Sequence, residues 1–166
     1  LLAHTYRTNG DSRSARRHLT AALKSLGIAD DSNRIDRARL MNNIGVCSGD
    51  VGDHEEARTW FEKSVREHAT SVSTLNLARC YRELGDGEAA HELLTSWISH
   101  SPTNADARLL LGTVAAELGR PDEAIATLES LIQSGTTGPA PYASLGWVLS
   151  DERHDYEAAL RLLEEG

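Results

Sequence analysis

The chain has 166 residues and a formal net charge of −8, with 40% apolar, 25% charged and only 5% aromatic residues. That length suits one domain, and the dominance of Ala, Leu, Arg and Glu over Val, Ile and Thr excludes a β-sandwich or barrel in favour of packed helices. The acidic balance speaks against nucleic acid as the main partner, since phosphate binding needs a basic footprint, and there is no run of about 20 apolar residues to span a membrane.

Taken in order, the chain starts at Leu1 without Met, inside helical sequence, and so reads as a fragment of a longer protein; no charged-then-apolar leader is visible. A first helix ends at Gly10-Asp11, and a second runs to Gly27. Residues 28–33, IADDSN, form a polar connection in which Ser32 or Asn33 caps the next helix. Residues 44–57, IGVCSGDVGDHEEA, read as the end of one helix, a turn at Gly52-Asp53 and the start of another. The pattern returns as Leu77-Ala78, Gly85-Asp86 and Ala90, and again as Leu111-Gly112, Gly119-Arg120 and Ala124. Gly10, Gly52, Gly85 and Gly119 supply the left-handed residue that stops each first helix. Asp11, Asp53 and Asp86 cap each second helix, and Glu56, three residues after Asp53, has capping-box spacing. Arg120-Pro121 replaces the Asp cap with a proline start. Residues 134–139, SGTTGP, form a loop, and Pro139 opens the last helix pair, whose turn at 151–154 has no Gly. The units are thus about 1–27, 34–69, 71–102, 104–135 and 139–166, together one domain. Gly166 follows no polar capping helix, so the last unit leaves an apolar face for further chain, a partner or a second copy in a homo-oligomer.

Two series fix the register. A small residue falls at Ala3, Gly45, Ala78, Gly112 and Gly146, and an alanine at Ala15, Ala57, Ala90, Ala124 and Ala158; both step by 42, 33, 34 and 34. With Leu or Ile before the small residue and Leu19, Phe61, Leu94, Leu128 and Leu162 four residues after the alanine, the chain resembles the tetratricopeptide-repeat family, bacterial type, over essentially its whole length. The resemblance implies an all-α fold, a right-handed α-solenoid of about five helix pairs. It also implies a protein–protein interaction scaffold that binds a peptide or partner segment in its concave groove. The 42-residue step is shared with long-repeat variants in larger signalling proteins. A regulatory region of a bacterial ATPase, transcription regulator or effector protease is therefore the second reading, and a self-association module the third.

No catalytic motif emerges: there is no Gly-x-Ser-x-Gly, Walker loop, HExxH or CxxC, and no two histidines stand at i, i+3 or i, i+4. We expect no enzyme activity, cofactor or metal. Cys47 and Cys80 occupy the same slot in successive units and are expected to be free core thiols, in keeping with a reducing cytoplasm. Trp97 is expected in the core and Trp60 partly exposed on the outer face.

The resemblance places the ligand groove on one face of each first helix. Those slots hold Arg7, Arg39, Asn42, Val46, Arg79, Arg82 and Trp147, with Asn43 and Asn76 at the groove edge. Four arginines with neighbouring amides suit an acidic or C-terminal carboxylate group; a solvated face with internal Arg pairs is the alternative. The family's chaperone clamp of Lys and Asn is not reproduced, because His4 and Val72 stand in its places. Asp50, Glu83, Glu117 and Asp151 recur near the first-helix ends against the macrodipole. They are expected to pair with Arg79 and Arg82, or else to edge a groove for basic ligands. Trp147 is either a ligand anchor or a packing residue.

Overall fold

A computed structural model describes residues 11–27, 30, 32–136 and 138–151. The described residues form eight α-helices and no strand: α1 (Ser12–Ser25), α2 (Arg34–Asp50), α3 (His54–Glu67), α4 (Ser71–Glu83), α5 (Gly87–His100), α6 (Ala105–Glu117), α7 (Pro121–Gln133) and α8 (Pro139–Asp151). The chain divides into two compact units with the boundary between Gly85 and Asp86. The expectations placed on Ala3, His4, Arg7, Gly10, Ala158, Leu162 and the turn at 151–154 lie outside the described residues.

In the first unit α2 packs against α1 and α3, and α3 against α4. Ala15, Leu19 and Leu23 recur every four residues along α1 and meet Met41, Ile44 and Cys47 of α2 in one buried cluster. That is the stripe that an amphipathic helix turns inward. The approach of α2 to α3 is set by Gly45: a Cβ there would stand 2.7 Å from ring carbons of Phe61. Gly52 serves differently. Nothing lies within 4 Å of where its Cβ would be, but its φ of +83° is one that only glycine adopts freely.

The aspartate caps form as expected. Asp11 accepts from the Ser14 amide at 3.0 Å and Asp53 from the Glu56 amide at 3.1 Å, and the Ser14 hydroxyl and amide hold the Asp11 carboxyl below its ordinary range. Two local expectations are corrected. Glu56 does not turn back to close a capping box; its carboxylate takes Arg16 of α1, Ser48 Oγ and Trp60 Nε1, because a cation and two donors lie within its reach. The reciprocal box is formed instead by Thr70 and Ser73 at the start of α4. Asn33 begins α2 without a side-chain cap bond. Its amide donates to the Leu26 carbonyl and accepts from the Asp30 amide, tying the connection down instead. At the far end of the hairpin, Arg34 Nε donates to the Glu67 carbonyl and Arg37 Nε to the Glu67 carboxylate at 3.2 Å. The last turn of α3 is thereby fastened to the first turn of α2.

The second unit repeats the plan. α6 packs on α5 and α7, and α8 on α7. Ala115, Ala116, Ala124, Leu128, Leu145 and Val148 form its core cluster, and a Cβ on Gly112 would stand 2.8 Å from Leu128 Cγ. Asp86 caps α5 through the Ala89 amide at 3.2 Å, and Asn104 caps α6 through the Ala107 amide at 3.0 Å. Arg120-Pro121 starts α7 without a side-chain cap, as the sequence implied. Glu88 receives Arg120 at 2.8 Å, and His91 lies 2.7 Å from Glu123. Trp97 is half-buried rather than fully interior, and its indole nitrogen makes no hydrogen bond among the described residues.

Both cysteines are buried thiols outside any disulfide among the described residues. Cys80 donates to the His54 carbonyl at 3.3 Å, and burial, helped by the Glu83 charge, pushes its thiol up to about 11.

Two outcomes follow. Gly45→Ala gains helix propensity but drives a methyl into the Phe61 ring, for a net loss of about 1–2 kcal/mol in chemical denaturation. Adding Phe61→Leu recovers part of that loss; a Gly45→Ala protein as stable as the parent removes the close contact from the account. In a Cys47→Ala background, Cys80 reacts with Ellman's reagent at pH 8 about a hundredfold slower than in denatured protein. Because the thiol's folded value is raised, stability falls as pH rises from the unfolded value towards about 11.

Candidate functional site

The first unit holds a cleft of about 360 Å³. Its walls are the first half of α2, through Ile35, Ala38, Arg39, Asn42 and Asn43, and the first turn of α4, through Val72 and Ser73. Its floor is the end of α3 and the following cap, through Ser64, His68 and Thr70. Each element is positioned for a local reason. Ser64 Oγ donates to the Ala38 carbonyl at 2.7 Å inside the core, fixing the floor to the α2 wall. The Thr70–Ser73 box sets where α4 begins. Asn42 is buried and accepts from Asn76 Nδ2 at 3.0 Å, joining the two walls behind the opening.

The rim is apolar and exposed: Ile35 is 55% and Val72 61% accessible. Isolated exposed aliphatics are ordinary, but these two flank one concavity that also offers polar groups. Asn43 is exposed. Arg39 pairs with Asp36 at 3.7 Å between two largely exposed side chains, a contact that contributes little. Among the described residues no carboxylate lines the cleft.

The expected residues therefore divide. Arg39, Asn42 and Asn43 come together in the cleft, and Asn76 supports it from behind. Val46, Arg79 and Arg82 sit further along the same two helices and do not line it; Arg79 and Arg82 are both exposed. Arg7 lies outside the described residues, and Trp147, 47% accessible on α8, belongs to the second unit. Of the recurrent acids, Asp50 accepts from Ser12 Oγ at 3.1 Å, and Glu83 lies 3.1 Å from His54 Nδ1. Sequence reasoning missed Ile35, Ser64, His68 and Thr70. Ile35 could have been found four residues before Arg39, on the same helix face, and Thr70 from its spacing to Ser73. Ser64 and His68 come from a second helix, where the slot scheme does not look. No group of three potential metal ligands occurs among the described residues, and no helix there is long and apolar enough to cross a membrane.

Tetratricopeptide-repeat family models match residues 1–72, 71–94 and 83–145. Among curated proteins, general transcription factor 3C polypeptide 3 of Homo sapiens is 28% identical over 108 residues, which is 64% of this chain and 12% of that protein. The chain thus spans about an eighth of that relative's length. Similar solved structures include MamA, at 22% identity with a TM-score of 0.79 over 99% of this chain and 92% of that one. A tetratricopeptide repeat protein from Parabacteroides merdae has a TM-score of 0.84 at 20% identity, over 98% of this chain and 62% of that one. YrrB, a TPR protein with an unusual peptide-binding site, has a TM-score of 0.72 at 19% identity, over 98% and 80%. At these identities the likeness shows the fold, an α-solenoid of helix pairs.

The two walls of the cleft are coupled through one amide pair. Asn42→Ala leaves the Asn76 donor without its partner and lowers stability by about 1 kcal/mol. A double-mutant cycle with Asn76→Ala in urea is expected to give a non-zero coupling energy, whereas additive losses mean that the pair is not formed in solution.

Proposed function

The chain belongs to the tetratricopeptide-repeat family, and from that premise we propose that it is a protein-interaction scaffold whose cleft between α2 and α4 receives an extended peptide. The observation that carries this reading is the composition of the cleft. Two exposed aliphatic side chains, Ile35 and Val72, flank an exposed amide, Asn43, and a weakly held guanidinium, Arg39. Such a set matches a peptide on each of its chemistries. Apolar side chains lie against Ile35 and Val72, the peptide backbone bonds to Asn43, and a carboxylate meets Arg39. His68 adds a second side chain that can donate a hydrogen bond to a ligand carboxylate. Arg79 and Arg82, about two to three helical turns beyond Val72, would meet acidic side chains further along the same ligand. The partner class is accordingly an acidic peptide. YrrB supports peptide binding as a use to which this fold is put.

The test uses a displayed library of random peptides with free C-termini. Peptides selected on the wild-type protein are expected to be enriched in acids and to lose at least about tenfold in affinity, or about 1.4 kcal/mol, against Asn43→Ala with Val72→Asp. Arg79→Ala with Arg82→Ala should weaken the acidic peptides alone. Selected peptides that bind the Asn43→Ala, Val72→Asp protein as well as the parent would remove the cleft as the site.

A further inference from the structure

The first unit carries a second concavity of different character. It has a volume of about 400 Å³ and lies between α1 and α3, lined by Arg16, Arg17, Thr20 and Lys24 from α1 and by Glu56 and Trp60 from α3. It shares no lining residue with the α2–α4 cleft. Positions 16, 20 and 24 fall at i, i+4 and i+8, a stripe one residue round from the buried stripe of Ala15, Leu19 and Leu23. Burial of the apolar stripe therefore dictates where the basic one is displayed.

The charges within the pocket do not cancel. Glu56 is the single carboxylate among its described lining residues, and it is already satisfied by Arg16, by Ser48 Oγ at 3.1 Å and by the Trp60 indole at 3.4 Å. Arg17 and Lys24 are both exposed; Arg17 donates to Ser14 Oγ at 2.8 Å and stands near enough to the Asp11 carboxylate to favour its charged form. Trp60 is half-buried, packed against the core on one side, and Lys63 Nζ stands 4.4 Å from its ring centroid, adding a fourth cation. This concentration of cations occurs on a chain whose net charge is −8.

We propose that this pocket is a second docking site, for an acidic segment of a partner protein, with carboxylates taken by Arg17 and Lys24 and an adjoining side chain laid on Trp60. Charge complementarity selects the occupant. A cationic pocket on an acidic chain attracts a local run of Asp and Glu, while a second copy of this chain carries the same net −8 and is repelled at long range. Glu56 acts as a positioning residue, holding Arg16 and Trp60 in place without offering a free charge to the ligand.

The probe is a fluorescein-labelled decapeptide of Glu and Asp with one central Leu, titrated by anisotropy at low and high salt. Saturable binding is expected, weakened by salt and lost by at least about tenfold in Arg17→Glu with Lys24→Glu. The titration is made on protein that already carries Asn43→Ala with Val72→Asp, which disables the α2–α4 cleft, so that saturable binding there reports the α1–α3 pocket alone. Thermal melts check that each variant folds, and Arg17→Ala with Lys24→Ala replaces the charge reversal if that variant does not. Absence of saturable binding, or unchanged binding by the folded double variant, overturns the proposal. Loss of binding in the cleft variant overturns it by placing the peptide in the cleft. Equal affinity for phosphatidylserine vesicles overturns it in favour of a membrane surface.

Discussion

Everything in this molecule depends on how closely one helix of a pair can approach the other. Gly45 lies under the Phe61 ring and Gly112 under Leu128, each with no room for a methyl group. The glycine gives up helix propensity, about 1 kcal/mol against alanine. The compensation is that a large side chain seats directly on backbone, at the packing density of a crystal. Ala57 and Ala124, on the opposing helices, are small for the same reason and almost wholly buried. Once those contacts are made, the direction of every other side chain on the two helices is decided.

The polar groups follow from that geometry rather than competing with it. Arg16 follows Ala15 and meets Glu56, which precedes Ala57; His91 follows Ala90 and meets Glu123, which precedes Ala124. The same pair of slots is thus bridged in each compact unit, once by a permanent cation and once by an imidazole that is charged only when protonated. Such partly exposed pairs contribute modestly to stability. Their larger effect is on the surface, because a carboxylate that is fully occupied leaves the neighbouring cations to set the local field.

What could be read from the chain follows the range of the forces involved. The turn glycines and aspartate caps are backbone requirements satisfied within three or four residues, so Gly52, Asp53 and Asp86 announce themselves. The small-residue series is non-local but repeated, and repetition makes it visible. Glu56 was misjudged because its local use as a box and its tertiary use as a partner for Arg16 have the same spacing from Asp53, and only the arrival of α1 decides between them. Asn42 lines the cleft as its slot implies, but it is largely buried and its side-chain oxygen is taken by Asn76. A slot specifies a helix face, and only the neighbour decides whether that face is open. Ser64 and His68 could not be reached at all by a scheme confined to first helices.

The fastening of α3 to α2 through Arg34, Arg37 and Glu67 bears on how a ligand would be received. His68 follows Glu67 directly, and Ser64, three residues before Glu67, is tied to the Ala38 carbonyl of α2, so the floor of the cleft is braced on both sides whether or not anything occupies it. A receptor already in its bound shape is spared the ordering entropy that a mobile one surrenders on association. For such a receptor arrival would be set by orientation and charge steering, from the ordinary pace of about 10⁵–10⁷ M⁻¹s⁻¹ for protein encounters upward. Ligands would be told apart by how long they stay.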